Sequence, residues 1–240
     1  MAASKSTLDR GYRAETVSPW ASYAGDKENN ARPSPRESLL TRTKTRHIGS
    51  REVLFYEGQP ADTVYAVRRG LIKLASHRVT GRARIVRLHG QGDWIGLGGL
   101  LDQPYEHTAI AVGEVEICPI AARKLRALRY DDPQVYCNLM ETWYFHLRSA
   151  DIWISEFSTG PIKARVARLL CFLAKLEFGP ASTIVELLTC DEMASVLGVT
   201  AESVSRILAA FKRDAILLPV GRNGTELYCM DAAVLTDLSR

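Results

Sequence analysis

The chain has 240 residues and a mass of 26.6 kDa, enough for one large domain or two modest ones. Hydrophobic residues at 46%, charged residues at 24% and a mean hydropathy of −0.09 exclude a wholly disordered chain, a collagen-like one and a membrane bundle. The formal charge of +4 is uneven: residues 1–50 hold nine Lys/Arg against five Asp/Glu, residues 51–158 thirteen of each and residues 159–240 nine of each, so bulk charge makes no case for nucleic acid beyond the N-terminal stretch.

Met1 to about Thr45 is rich in Ser, Thr, Ala, Asn and Arg, with Pro33, Pro35 and isolated Trp20 and Tyr23; a disordered basic tail over 1–45 is expected. It lacks the basic-then-apolar order of a secretory signal, and no apolar run in the chain approaches the roughly 20 residues that cross a bilayer. The expected compartment is the cytoplasm, with no membrane partner. Five cysteines, at 118, 137, 171, 190 and 229, are scattered and never form a CxxC or Cys/His pair, which suggests neither a disulfide framework nor a metal site.

Between Arg46 and about Ile120 short apolar runs alternate with glycine turns. Glu52–Phe55, Thr63–Val67, Leu71–Ala75, Ala83–Leu88, Thr108–Val112 and Val115–Ile117 have strand length, separated by turns such as Arg69-Gly70, Thr80-Gly81 and Gly90-Gln91-Gly92-Asp93. Many short strands at close spacing predict an antiparallel jelly roll or barrel over 46–131.

The period then becomes helical. Ile120 to Tyr130 reads as a short helix, and Asp131-Asp132-Pro133 as a helix start. From Gln134 to about Phe157 no glycine or proline interrupts a stretch that is apolar on more than one side. A surface helix needs one apolar stripe and a helix that also meets a partner needs two, so 132–158 is expected to dimerise; the alternative is a buried core helix of a monomer. Gly160-Pro161 breaks the chain, a second helix runs from Ile162 to Phe178, and a strand-like Thr183–Leu188 follows.

Thr189 to Leu208 predicts helix, glycine turn, helix. Thr189 with Glu192 forms a capping box, Gly198 makes the turn and Thr200 caps the second helix. In a helix-turn-helix that second helix enters the major groove. On it Glu202, Ser205 and Arg206 share one face: Arg206 can donate bidentately to guanine, Glu202 can accept from cytosine N4, and Ser205 can serve either a base or the thymine region. Thr200, Ser203 and Lys212 are candidate phosphate contacts. The simpler alternative is an exposed helix on which Glu202 and Arg206 only pair with each other. Val220–Tyr228 predicts a hairpin with Asn223-Gly224 at its tip, a wing from which Arg222 can reach a phosphate, so 159–240 reads as a winged helix-turn-helix domain. The fold class is thus α+β.

From about residue 47 onward the chain resembles the Crp/Fnr family of bacterial transcription regulators. The glycines at 58, 70, 90, 92 and 96 match family positions, and so does Glu202-x-x-Ser205-Arg206. The resemblance implies a cyclic-nucleotide-binding-like sensor barrel, a homodimer, promoter DNA and RNA polymerase as partners, and activation through the loop Gly179–Val185. The reading set is similar to the Fnr type, implying TTGAT-like half-sites; Ala201 stands where the cAMP receptor type has arginine.

Three departures bear on the signal. The Gly-Glu-Leu and Arg-Ser motifs of cAMP-binding members read Gly96-Leu97-Gly98 and Glu106-His107-Thr108 here, and the Thr-Ser pair that meets adenine is replaced at about Ala150-Asp151. These residues mark an effector pocket (Gly96, Leu97, Gly98, His107, Thr108, Asp151), but cAMP is not the expected ligand. The tail holds no cysteine, so the resemblance implies no iron–sulfur cluster. Haem through His77, His89, His107 or His146, and a redox thiol at Cys190 or Cys118, stay open. A ligand-binding barrel serving as a regulatory module without DNA is the competing function class. No catalytic set converges on one element, so no enzyme is expected.

Overall fold

The computed structural model describes residues 43–77, 83–179, 181–220 and 226–239. The predicted tail up to Arg42, Thr80-Gly81, Arg222 and the Asn223-Gly224 tip lie outside the described residues. In the sensor half, β1 (Arg46–Ile48), β2 (Val53–Phe55), β3 (Thr63–Arg69), β4 (Ile72–His77), β5 (Ala83–His89), β6 (Trp94–Ile95), β7 (Thr108–Ala111) and β8 (Val115–Ala121) form two antiparallel sheets, ordered β1-β8-β3-β6 and β2-β7-β4-β5. Alternation along each strand divides the side chains. Val67, Ile95 and Ile117 meet Phe55, Ile72 and Ala109 between the sheets, while Val64, Ala66, Trp94 and Cys118 point outward to a second apolar cluster against the following helices.

The helix predicted from Ile120 begins only at Ala122, because β8 continues through Pro119. β1 pairs only with Val115–Ile117, starting at Arg46 opposite Ile117, so Pro119 lies where β3 alone flanks the strand and a missing N–H is tolerated. Helices α1 (Ala122–Asp131) and α2 (Pro133–Ser158) follow. The Asp132 carboxylate accepts from the Val135 N–H at 3.3 Å, and Pro133 takes the first helical position, where no intrahelical donor is needed. One side of α2 buries Val135, Leu139, His146 and Phe157. Another leaves Tyr144, Leu147 and Ile154 about three-fifths exposed, so α2 is not a wholly buried core helix.

Helix α3 (Ile162–Phe178) reaches back over the break at Gly160-Pro161. Arg165 donates from Nε to the Phe157 carbonyl at 2.8 Å, and Arg168 from Nη1 to the Glu156 carbonyl at 2.7 Å and from Nε to the Ser239 carbonyl at 2.8 Å. Charge-assisted bonds to the orphan carbonyls of a helix end fix the angle between two helices. The C-terminal half adds β9 (Ile184–Glu186), α4 (Cys190–Leu197), α5 (Ala201–Arg213), β10 (Leu217–Pro219), β11 (Leu227–Met230) and α6 (Ala232–Leu238), with the sheet ordered β10-β11-β9. Met193, Val204 and Phe211 are fully buried there, each worth about 1.5–3 kcal/mol.

Leu71, Ile85 and Leu88 of the barrel belong to that same C-terminal core. At this junction Gly90 has no room for a side chain: a Cβ would lie 2.7 Å from the Leu176 carbonyl oxygen. The barrel and α3 therefore touch backbone to backbone.

Candidate nucleic-acid interface and sensor cavity

Local chemistry dictates the two short helices. The Glu192 N–H donates to Thr189 Oγ1 at 3.2 Å and the Thr189 N–H donates to Glu192 Oε2 at 3.0 Å, so the predicted capping box is reciprocal and worth about 1 kcal/mol. Gly198 ends α4 at φ +65°, where its N–H donates to the Ala194 carbonyl, and the chain turns 112° into α5. Thr200 caps α5, accepting the Ser203 N–H at 3.2 Å.

Glu202, Ser205 and Arg206 stand together on the exposed side of α5. The Arg206 guanidinium pairs with the Glu202 carboxylate at 2.5 Å with both side chains more than 70% exposed, so without DNA the two candidate base readers hold each other. Ser203 shares its hydroxyl with Thr200 at 2.9 Å. Lys212 donates to the Tyr228 hydroxyl at 2.7 Å, lies over that ring, and sits 3.8 Å from Glu226, tying the end of α5 to the wing strand β11.

The opposite side of the motif rests on the barrel. Strand β5 is an edge strand, and the Ser195 hydroxyl accepts from its Ile85 N–H at 2.9 Å and donates to its Ala83 carbonyl at 3.0 Å. Lys73 of β4 reaches Glu192 at 2.5 Å, both side chains less than a fifth exposed. Burial pushes the Glu192 carboxyl up, but the Lys73 ammonium and the Thr189 donors outweigh it and hold the group below its ordinary range. Sequence reading gave Glu192 a capping role only and assigned Ser195 none. No local pattern marks a contact made with residues 110 and 119 positions away.

Gly96, Leu97, Gly98 and His107 line a cavity of about 120 Å³ between the barrel and α2, together with His89, Trp94, Trp143 and His146. Two residues predicted for this pocket are not on its wall. Thr108 is buried in β7, its hydroxyl accepting the Glu57 N–H at 3.1 Å. Asp151 is exposed on α2, because five residues beyond His146 the helix has turned about 140° further round. Burial, opposed by Glu106, lowers the His107 pKa and favours the neutral ring. Leu97 packs in the cluster of Trp94, Leu100 and Leu125 and offers no acceptor. At these two positions a ribose hydroxyl and a cyclic phosphate would thus find leucine and a neutral imidazole, while Arg87 and Glu106 supply the charged groups of the same cavity.

Of the candidate thiols, Cys118 is fully buried in β8 and Cys190 is partly exposed at the first turn of α4. Among the described residues no single helix is long and apolar enough to cross a membrane.

A family model described as a cyclic nucleotide-binding domain matches residues 45–132, and one described as a Crp-like helix-turn-helix domain matches residues 164–238. The chain is 26% identical over 191 residues to the transcriptional activator protein anr of Pseudomonas aeruginosa, spanning 78% of this chain and 77% of that protein. It is 29% identical over 165 residues to a cyclic AMP receptor protein of Thermus thermophilus, spanning 68% and 74%. Among solved structures, a CRP/FNR-family transcriptional regulator, also from Thermus thermophilus, superposes with a TM-score of 0.64 at 25% identity over 82% of this chain and 98% of its own. FixK2 from Bradyrhizobium japonicum shares the fold at a TM-score of 0.71 and 23% identity, over 82% and 98%.

Proposed function

Because the chain belongs to the Crp/Fnr family of transcription regulators, we propose that it binds promoter DNA as a homodimer in the cytoplasm, recognises a palindrome of TTGAT-like half-sites and activates transcription by contacting RNA polymerase. The observation that carries the DNA reading is the exposed face of α5, where Glu202, Ser205 and Arg206 stand side by side on a helix capped by the Thr200 side chain. In this reading Arg206 takes guanine O6 and N7, Glu202 takes cytosine N4, and Ser205 takes a neighbouring base edge. Thr200, Ser203, Lys212 and Arg222 hold phosphates, and Lys212 exchanges Tyr228 for the DNA backbone.

The homodimer is supported by the second stripe of α2. Tyr144, Leu147 and Ile154 recur at intervals of three and seven, the spacing of a coiled-coil seam, on the exposed side of the helix. A parallel pair of such helices would present two α5 faces about 34 Å apart, one turn of DNA. Activation is supported by the similarity to the Pseudomonas transcriptional activator protein, and the segment Gly179–Val185 is the proposed polymerase contact. The cavity walled by Leu97 and His107 is the proposed effector pocket, and Cys190 rather than the enclosed Cys118 the proposed redox thiol.

The test is an anisotropy titration of the full chain against a duplex carrying an inverted TTGAT repeat and a second duplex of equal length and composition in scrambled order. A preference of about a thousandfold or more for the repeat is expected, of the order of ordinary specific over non-specific binding. Equal affinity for the two overturns the reading.

A further inference from the structure

Away from the reading face, three buried side chains from separate elements converge. His89 ends β5, Asp93 lies in the turn before β6, and His146 faces inward from α2; they are 4%, 5% and 6% exposed. One ligand-type atom from each falls within 4.8 Å of the other two. His89 Nδ1 stands 3.6 Å from Asp93 Oδ2, too far for a hydrogen bond, and is without a hydrogen-bond partner. The two imidazole rings are 5.0 Å apart and tilted by 56°. Asp93 is oriented from behind: its Oδ2 accepts the Gly90 N–H at 2.9 Å.

We propose that His89, Asp93 and His146 bind a divalent first-row transition metal ion, with an open coordination position facing the sensor cavity. Two donors at ordinary metal–ligand lengths of about 2.0–2.2 Å on a tetrahedral ion stand about 3.4 Å from each other, close to the 3.6 Å already found between His89 and Asp93. Contraction of the 4.8 Å group by about an ångström completes the set. Two imidazoles and one carboxylate, with no thiolate, select Zn²⁺ or Fe²⁺ class ions over Cu⁺, Ca²⁺ or Mg²⁺. The Gly90 N–H supplies the orienting bond that ligating carboxylates take from their surroundings. Three protein ligands beside a cavity of about 120 Å³ leave room for water or a small anion as the fourth, on a wall that His107 shares.

The ligands come from both sides of the junction between barrel and long helix, so occupancy would join β5 and β6 to α2. Binding of the ion does not depend on DNA reading, and its test is independent of it.

Tag-free full-length protein, stripped with a chelator and dialysed, would be titrated with Zn²⁺, and metal per chain and thermal unfolding measured together. One equivalent per chain and a raised Tm are expected. His146→Gln should weaken binding at least about tenfold, since loss even of an outer-shell partner costs that much, while Cys137→Ser and Cys190→Ser leave it unchanged. X-ray absorption of the Zn²⁺-loaded wild-type protein needs no variant to fold, and should give a nitrogen and oxygen shell containing imidazole. Sub-stoichiometric Zn²⁺, sulfur in the shell, or undiminished binding by a folded His146→Gln protein would each overturn the site.

Discussion

Arg206 and Glu202 meet across one helical turn with both heads in water, a pairing worth a few tenths of a kcal/mol that yields readily when a base edge offers better acceptors. Arg206→Ala is expected to lose about 1–3 kcal/mol of discrimination at the guanine of the half-site, measured on duplexes that vary that base alone. Uniform weakening on every duplex would assign Arg206 to the backbone instead. A second residue gives a pH signature. Burial, and then the nearby Glu186 carboxylate, push the Glu177 carboxyl from 4.5 up to about 7. The folded chain therefore holds this proton more tightly, so its contribution is complete below about pH 4.5 and is lost as the pH rises through 7. Glu177→Gln should be more stable than the parent above pH 7, by about 1–2 kcal/mol after solvent screening, with no advantage at pH 4, by denaturant melts at both values. At this scale the shared exposed side of Glu202, Ser205 and Arg206 was legible because i, i+3 and i+4 positions share a side of any helix. The cavity was legible only in part: whether Asp151 or His146 faces the barrel depends on how α2 is rotated. The convergence of His89, Asp93 and His146 joins positions with no motif between them.

Helix α2 carries one apolar stripe against the barrel and another in solvent, and Asp151 falls within the second, four residues after Leu147 and three before Ile154. In a parallel dimer two such carboxylates face each other across the seam, where like charges oppose association. Asp151→Leu is expected to tighten self-association by about tenfold, or about 1.4 kcal/mol, in sedimentation equilibrium; an unchanged constant would place the seam elsewhere. The limits of this helix were legible because Asp132-Pro133 and Gly160-Pro161 are local stop and start chemistry. Strand β6 was not, since Trp94-Ile95 is only two residues long and owes its pairing to β3. The length of β8 was hidden by Pro119, which reads as a breaker until the start of β1 is known.

Taken as a whole, the molecule joins its two halves through shared apolar core and through polar contacts around it. Lys73→Met would leave Glu192 charged and shielded from water, at a cost of about 1–3 kcal/mol given its partial exposure and remaining Thr189 bonds. The expected result in calorimetry is a lower, broader transition as the halves separate. Lys73→Met with Glu192→Gln removes both charges and should recover most of the loss; no recovery would mean that the pair is not the coupling element. None of this docking was legible, because each half is a self-consistent pattern and the contact between them appears only in three dimensions. The Ser195 hydroxyl on the free margin of β5 carries a further consequence. An uncovered sheet margin recruits strands from other molecules, which is how folded proteins begin to aggregate. The helix that seats α5 is therefore also a stopper, and any movement that frees the reading domain exposes the barrel to its own kind.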